Sequence, residues 1–390
     1  MLKLVNSPVW HQSDCEGDHV PEKLRQLDQE ASWGKSTYHT AQAAKSAWVK
    51  RQGGSMKLGL GIYRNMFTQE NFRFAKQAGA THIVAHMLGW PGDQVDPLWN
   101  YDELLNLRKA INAEGLELAA LENFDPILWY DVILDGPRKI EQMENLKRII
   151  RDLGRVGIPV MGYNFSVANV WGHTRGPWAR GGAETVAFLN PEQPPIPNGE
   201  IWNTVYDKNA PTGTVGPITS EQHWARYKWF LDEIIPVAEE AGVRMASHPD
   251  DPPVATLRGT ARMVYQPHLY QKLLDLHPSP SHACEFCLGT IAEMTEDDPY
   301  WAIDKYSKQG NIAYIHFRNV RGKVPNYTEV FIDEGDVDMF KILRILKRNN
   351  YEGVLIPDHT PAMSCAAPWH AGMAFVLGYM KAAITIIEAE

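Results

Sequence analysis

The chain has 390 residues, 44% apolar and 22% charged, a make-up that allows a large buried core and excludes disorder throughout. Its formal net charge of −9 comes with Lys and Arg spread along the chain, so no basic surface for nucleic acid is expected. No uninterrupted apolar run reaches the roughly 18 residues of a membrane span, and the amino terminus has no signal-like segment. Both point to a cytoplasmic protein, without a membrane partner, whose four cysteines (Cys15, Cys284, Cys287, Cys365) stay reduced.

Residues 1–55 are polar and charged, with a short helix-like stretch over 21–31, and close on Arg51-Gln-Gly-Gly-Ser55. The segment reads as an appendage: a loosely held arm, a packed extra helix or strand, or an over-extended start of translation ahead of Met56. Over 56–390, short apolar runs alternate with amphipathic stretches of helical length, the pattern of a parallel sheet with crossover helices. The predicted strands are 57–62, 82–86, 117–122, 160–165, 244–248, 282–287, 313–318 and 354–358. Helical patterns cover 69–77, 101–113, 139–153, 221–241, 265–276, 336–348 and 372–388, and Gly79, Gly115 and Gly242 supply left-handed caps before the next strand.

Eight such units predict a single α/β domain, a closed (β/α)8 TIM barrel. The competitor, an open doubly wound sheet, is disfavoured because no glycine-rich dinucleotide or phosphate loop follows any strand. Insertions at 166–220, after the fourth strand, and 319–335, after the seventh, fall on loops of the catalytic rim and are expected to cover a substrate.

The fifth to eighth strands each end in a metal-competent side chain: His248, Cys287, His316 and Asp358. Singly, each histidine reads equally well as a core residue and Cys287 as a small hydrophobe. At the same end of four successive barrel strands they converge, and the mixed N, S and O donors suit Mn²⁺, Fe²⁺, Co²⁺ or Zn²⁺ better than Ca²⁺ or Mg²⁺. Cys284-Glu-Phe-Cys287 also matches the C-x-x-C of a redox pair or half a zinc site. Residues three apart on a strand face opposite ways, however, so Cys284 is not expected to share the ion.

His316 and Arg318 share a strand face, which sets a fixed cation beside the proposed metal and implies an anionic substrate. Arg175 and Arg262 are further candidates to bind it. Asp250 and Asp251 follow His248 in a proline-stiffened turn, as substrate contacts or as turn caps. His359, directly after Asp358, reads as a general acid or base, or as a surface histidine at a loop start.

The strings Ser247-His-Pro-Asp-Asp-Pro-Pro253, Glu285-Phe-Cys-Leu-Gly-Thr290, Ile315-His-Phe-Arg-Asn-Val320, Gly335-Asp-Val-Asp-Met339 and Asp358-His359 resemble the D-mannonate dehydratase family of hexuronate catabolism. The resemblance covers most of 56–390, including Tyr163-Asn-Phe165 and Trp171-Gly-His-Thr-Arg175. It implies a xylose-isomerase-like barrel and a lyase of glucuronate catabolism that converts D-mannonate, or a related aldonate, to 2-dehydro-3-deoxy-D-gluconate and water. It also implies Mn²⁺, with Fe²⁺, Co²⁺ or Mg²⁺ as alternatives, on the same four ligands, and His359 as the acid/base.

There are departures. The family's Asp-Trp-Thr-Arg-Thr becomes Val170-Trp-Gly-His-Thr-Arg175, and its Asp-His-Gly becomes Asp358-His359-Thr360. The family's tyrosine after that motif has no counterpart in Trp369-His-Ala-Gly-Met-Ala-Phe375, and His370 or Tyr163 is the candidate replacement.

The expected catalytic residues are therefore His359, Arg318 and Tyr163, with Arg175, Arg262, Asp250, Asn319 and His370 binding substrate. The expected partners are a small sugar acid and a second copy of the chain in a dimer. Two rival readings are a metal-dependent sugar isomerase or epimerase, which also abstracts a proton alpha to a carbonyl, and a sugar-acid binding protein without turnover.

Overall fold

A computed structural model describes residues 55–88 and 99–390. The appendage expected over 1–55 lies, apart from Ser55, outside the described residues. Strands β1 (Lys57–Tyr63), β2 (His82–His86), β3 (Glu117–Glu122), β4 (Val160–Tyr163), β5 (Arg244–Ser247), β6 (His282–Cys287), β7 (Ile312–His316) and β8 (Val354–Ile356) close into a parallel barrel. They are followed respectively by helices α1 (Gln69–Gln77), α2 (Tyr101–Ala113), α3 (Lys139–Val156), α4 (Ser220–Ala241), α5 (Leu269–Leu276), α6 (Pro299–Lys308), α7 (Met339–Arg348) and α8 (Pro368–Ala389).

Local chemistry sets the boundaries. Capping boxes start α2 (Asn100 with Glu103) and α4 (Thr219 with Gln222), and α4 ends on Gly242 at φ 68, where a side chain would be strained. Asp338 caps α7, so that helix begins at Met339 and not at the predicted 336. β5 and β8 end before the predicted residues because Pro249 and Pro357 have no N–H to continue a ladder. Helix α6, capped by Asp298 with Pro299 in its first turn, was not read from the sequence. Helix α8 is long and apolar enough by length and composition to cross a membrane. Its Met373, Val376, Leu377, Met380, Ile384 and Ile387 are nonetheless buried in the protein's own core.

Side-chain alternation divides the strands into two faces. Outward residues such as Met161, Tyr163, Met245, Cys284, Phe286, Ile315 and Leu355 pack in the core between barrel and helices. Inside, Val84, Ala120, Val160, Ala246, Ala283, Tyr314, Val354 and Ile356 form an apolar plug. Two residues further along β2, β3, β6 and β7, the inward positions turn polar: His86, Glu122, Glu285 and His316.

The two rim insertions form one structure. The hairpin His173–Ala179 with Ala183–Leu189 and the hairpin Asn319–Lys323 with Asn326–Val330 join, Tyr327 opposite Phe188, into a four-stranded antiparallel sheet. Asn319, expected to bind substrate, is buried at the base of the second hairpin. Its amide donates to the carbonyls of Ile332 and Val337 and accepts from the amides of Val320 and Val337, so its polar capacity is used by the backbone.

A Cβ placed on Gly162, which faces inward from β4, would fall on Tyr314 Oη and Glu285 Oε2. Gly162→Ala is expected to destabilise the fold by about 1–3 kcal/mol, the usual cost of overpacking. A thermal melt at or above the wild-type midpoint would show that the polar interior yields freely.

Candidate active site

The ligand atoms of His248, Cys287 and His316 lie within 4.8 Å of one another at the carboxyl ends of β5, β6 and β7. His248 Nδ1 is 2.6 Å from the Pro249 carbonyl. A carbonyl only accepts, so Nδ1 carries a proton and Nε2 is the nitrogen left to face an ion. His316 Nδ1 is buried without a hydrogen bond, 3.3 Å from Asp358 Oδ2. Asp358 itself is held at φ 61, a left-handed conformation rare outside glycine and of the kind that clusters at functional sites.

Cys287 is fully buried and accepts a hydrogen bond from Thr290 Oγ1 at 3.1 Å. Burial alone would raise its pKa. The Arg318 charge, the hydrogen bond from His248 and the nearby His316 outweigh burial and bring the thiol down to about 5, a thiolate at neutral pH. For His248 burial works downward, but the hydrogen bond to Cys287 prevails and raises it to about 9. Cys284, on the opposite strand face, has its pKa raised by burial and stays a thiol. Two imidazoles, a thiolate, a carboxylate and an orphaned buried nitrogen fit a divalent transition ion.

Arg318 is 3% exposed and fully engaged. It meets Asp251 and Glu293 at 2.7 Å each, Asp358 at 3.2 Å and Glu329 at 3.5 Å. It stands as a fixed cation beside His316 and Cys287, and its donors are taken up by protein carboxylates. Arg262 is likewise consumed: it meets Asp250 at 3.1 Å and donates to Ser166 Oγ and to the carbonyls of Asn169 and Asp251. Asp250 accepts from the amides of Met263 and Val264, so this pair braces the loop after β5.

Tyr163 is also misplaced by the sequence reading. It points away from the barrel interior, fully buried against Trp129, Tyr227 and Phe230. Arg175 lies on the first hairpin, 68% exposed and 3.7 Å from Glu184. His370 bonds Asn71 at 2.9 Å and packs against Phe74. Neither touches the ligand set.

His359 is different, its side chain 41% exposed at the rim. Its Nδ1 is 3.1 Å from Glu329 Oε1 and its Nε2 is 3.4 Å from Asp358 Oδ1. Burial works against protonation, but Asp358 and Glu329 outweigh it and hold the imidazole above its ordinary range.

Sequence reasoning missed Glu329, which arrives on the second hairpin, and Glu122, Glu285 and Glu293. It also missed a chain in which Asp251 accepts from Tyr327 Oη at 2.8 Å and Tyr327 Oη lies 2.6 Å from His173 Nε2. Of these, only Glu122 and Glu285 carried a signal, an inward position on a predicted strand. A cleft of about 690 Å³ runs along the first hairpin, lined by residues including Trp171, His173, Glu192 and Asn203. His173 belongs both to this lining and to the chain that ends on Asp251.

Known proteins resemble this chain in sequence and in fold. The D-mannonate dehydratase family model matches residues 63–380. A mannonate dehydratase of Streptococcus equi subsp. zooepidemicus is 30% identical over 278 residues, 68% of this chain and 76% of that protein. The crystal structure of mannonate dehydratase from Streptococcus suis superposes with a TM-score of 0.72 at 26% identity, covering 86% of this chain and 95% of that one. An L-ribulose 3-epimerase structure (TM-score 0.52, 14% identity, 86% and 96% covered) shares the fold alone. The match over most of the barrel and its rim shows that this chain belongs to the D-mannonate dehydratase family.

Proposed function

We propose that the chain removes water from D-mannonate to give 2-dehydro-3-deoxy-D-gluconate, with His248, Cys287, His316 and Asp358 holding one divalent ion. The observation that carries this reading is the convergence of three ligand atoms within 4.8 Å, with Asp358 against His316 and His359 at the rim beside them.

Taking the C2 proton of an aldonate is difficult because the neighbouring carboxylate must accept still more negative charge. A bound ion supplies Lewis-acid stabilisation of that charge. The chain's own groups do the rest. Arg318 keeps Cys287 ionised, and His316 and His359, with Arg318 behind them, keep Asp358 charged. Glu329 holds His359 by Nδ1, so that Nε2 is the proton-transfer atom, at C2 or at the departing C3 hydroxyl. The enol product then ketonises. On the same reading the ion is Mn²⁺, and the reaction serves hexuronate catabolism in the cytoplasm, where a thiol ligand stays reduced.

Cys287→Ala and His316→Ala are expected to lose bound metal and turnover together. His359→Asn is expected to keep the metal while kcat falls by about 10²- to 10⁴-fold, the usual worth of a positioned acid/base. Metal analysis of each purified variant beside its rate separates the two classes, and full activity in metal-stripped protein would refute the scheme. Incubated with a panel of aldonates, the metal-loaded protein should yield a semicarbazide-reactive 2-keto-3-deoxy acid from D-mannonate. An isomerase or a mere binding protein would give none.

Glu329→Gln removes a carboxylate that holds His359 protonated. The limb of the kcat/KM profile belonging to His359 should therefore move to lower pH. An unmoved limb would remove Glu329 from the assignment.

A further inference from the structure

Between the apolar plug and the ligand set lies a polar layer that the proposed chemistry leaves without a task. Glu122 on β3 and Glu285 on β6 are 3% and 0% exposed, and each places a carboxyl oxygen 3.1 Å from His316 Nε2. Glu122 also accepts from Tyr314 Oη at 3.1 Å and meets His86 Nδ1 at 3.0 Å, while His86 stacks on Tyr63.

Two glycines make room for the layer. A Cβ on Gly61 would come within 2.7 Å of His86 Nε2, and one on Gly162 would fall on Tyr314 and Glu285. Barrel interiors are ordinarily filled with branched apolar side chains, and burying carboxyl groups there is costly.

A neutral imidazole carries one proton. With carboxyl oxygens facing His316 Nε2, that proton belongs on Nε2, and the lone pair belongs on Nδ1. Nδ1 is the atom that is buried without a hydrogen bond beside Asp358. His248 shows the reverse arrangement, its Nδ1 proton given to the Pro249 carbonyl.

We propose that Glu122 is a positioning residue which keeps the His316 proton on Nε2 and turns Nδ1 toward the ion, with Glu285 as second support and His86 and Tyr314 fixing Glu122. The inference rests on the reading of His316 as a metal ligand.

Partners of this kind are typically worth about 10- to 100-fold in metal affinity. Calorimetric titration of the metal-free full chain with Mn²⁺ tests the inference. Glu122→Gln should weaken binding by that factor, and Glu122→Asp, which keeps the charge, should recover most of it. Equal losses in both variants, or wild-type affinity in Glu122→Gln, would overturn the positioning role. Cys287→Ala separates the two readings: if it binds Mn²⁺ like the wild type, the ligand assignment itself has failed. A second equivalent of Mn²⁺ that Glu122→Gln abolishes would make the layer a metal site of its own and would also overturn the inference. Should Glu122→Gln not fold, ¹⁵N-histidine spectra of the Zn²⁺-loaded wild type answer directly: the His316 proton is expected on Nε2, and a proton on Nδ1 would be decisive against it.

Discussion

One buried guanidinium gathers carboxyl groups from four parts of the chain. Asp251 comes from the turn after β5, Glu293 from the short helix after β6, Glu329 from the second hairpin and Asp358 from the end of β8, and all reach Arg318. Carboxylates buried together repel, and removing the partner of a buried charge typically costs about 3–5 kcal/mol. The cluster therefore holds only while the cation is in place. An arginine suits the position because its rigid fork serves several acceptors at once, which the point charge of a lysine would not. Gly289 is part of the same device, since a Cβ there would fall on the Arg318 side chain. The cation thus fastens the rim sheet to the barrel through Glu329 and keeps a thiolate next door.

That last effect is visible in two cysteines three residues apart. Cys284 and Cys287 lie on one strand and are both fully buried, so desolvation acts on both. Cys284 faces the helices, where burial prevails, and it behaves as a small hydrophobe. Cys287 faces Arg318, His248 and His316, and their combined charge and hydrogen bonding reverse the outcome. Strand alternation, not burial, decides which thiol ionises. Glu122 and Glu285 share the inward face and are separated by their neighbours instead. Burial opposes ionisation of both, but His86 and His316 outweigh it and keep Glu122 charged. Glu285, desolvated and beside that charge, is pushed toward its neutral form. A pair with a single charge is far cheaper to bury than two carboxylates.

Alternation also marks how far the sequence could be read. The eight strands and the residues at the tips of β5 to β8 were legible because apolar runs with period two leave their polar ends conspicuous. Applied consistently, the rule would have turned Tyr163 outward and Gly162 inward, and would have flagged Glu122 and Glu285 as inward-facing carboxyl groups in a barrel core. The surroundings of Arg318 and Arg262 were hidden for another reason: an arginine near a site looks free until its acceptors are known, and Asp251, Glu293 and Asp250 are brought to it only by folding. Glu329 could not be found at all. Its strand pairs locally, Glu329 opposite Val320, but the place of that hairpin over the barrel depends on Tyr327 pairing opposite Phe188 from another insertion.

This dependence bears on what kind of chemistry the barrel performs. Sugar epimerases and dehydratases both begin by removing a proton next to a carbonyl or carboxylate, so metal-competent strand tips serve either. They part at the next step: an epimerase returns a proton to carbon, whereas a dehydratase must protonate a hydroxyl that leaves. On the proposed assignment that proton is handled by His359, whose Nδ1 is held by Glu329. Glu329 is carried by a strand of the rim sheet, not by a strand of the barrel. On that assignment the closed barrel would set the electrophile, and the two insertions, by pairing with each other, would set His359 through Glu329. Loops at this rim vary more freely than the strands that carry them. A change in the pairing of the hairpins would redirect the reaction while leaving the ligand set intact.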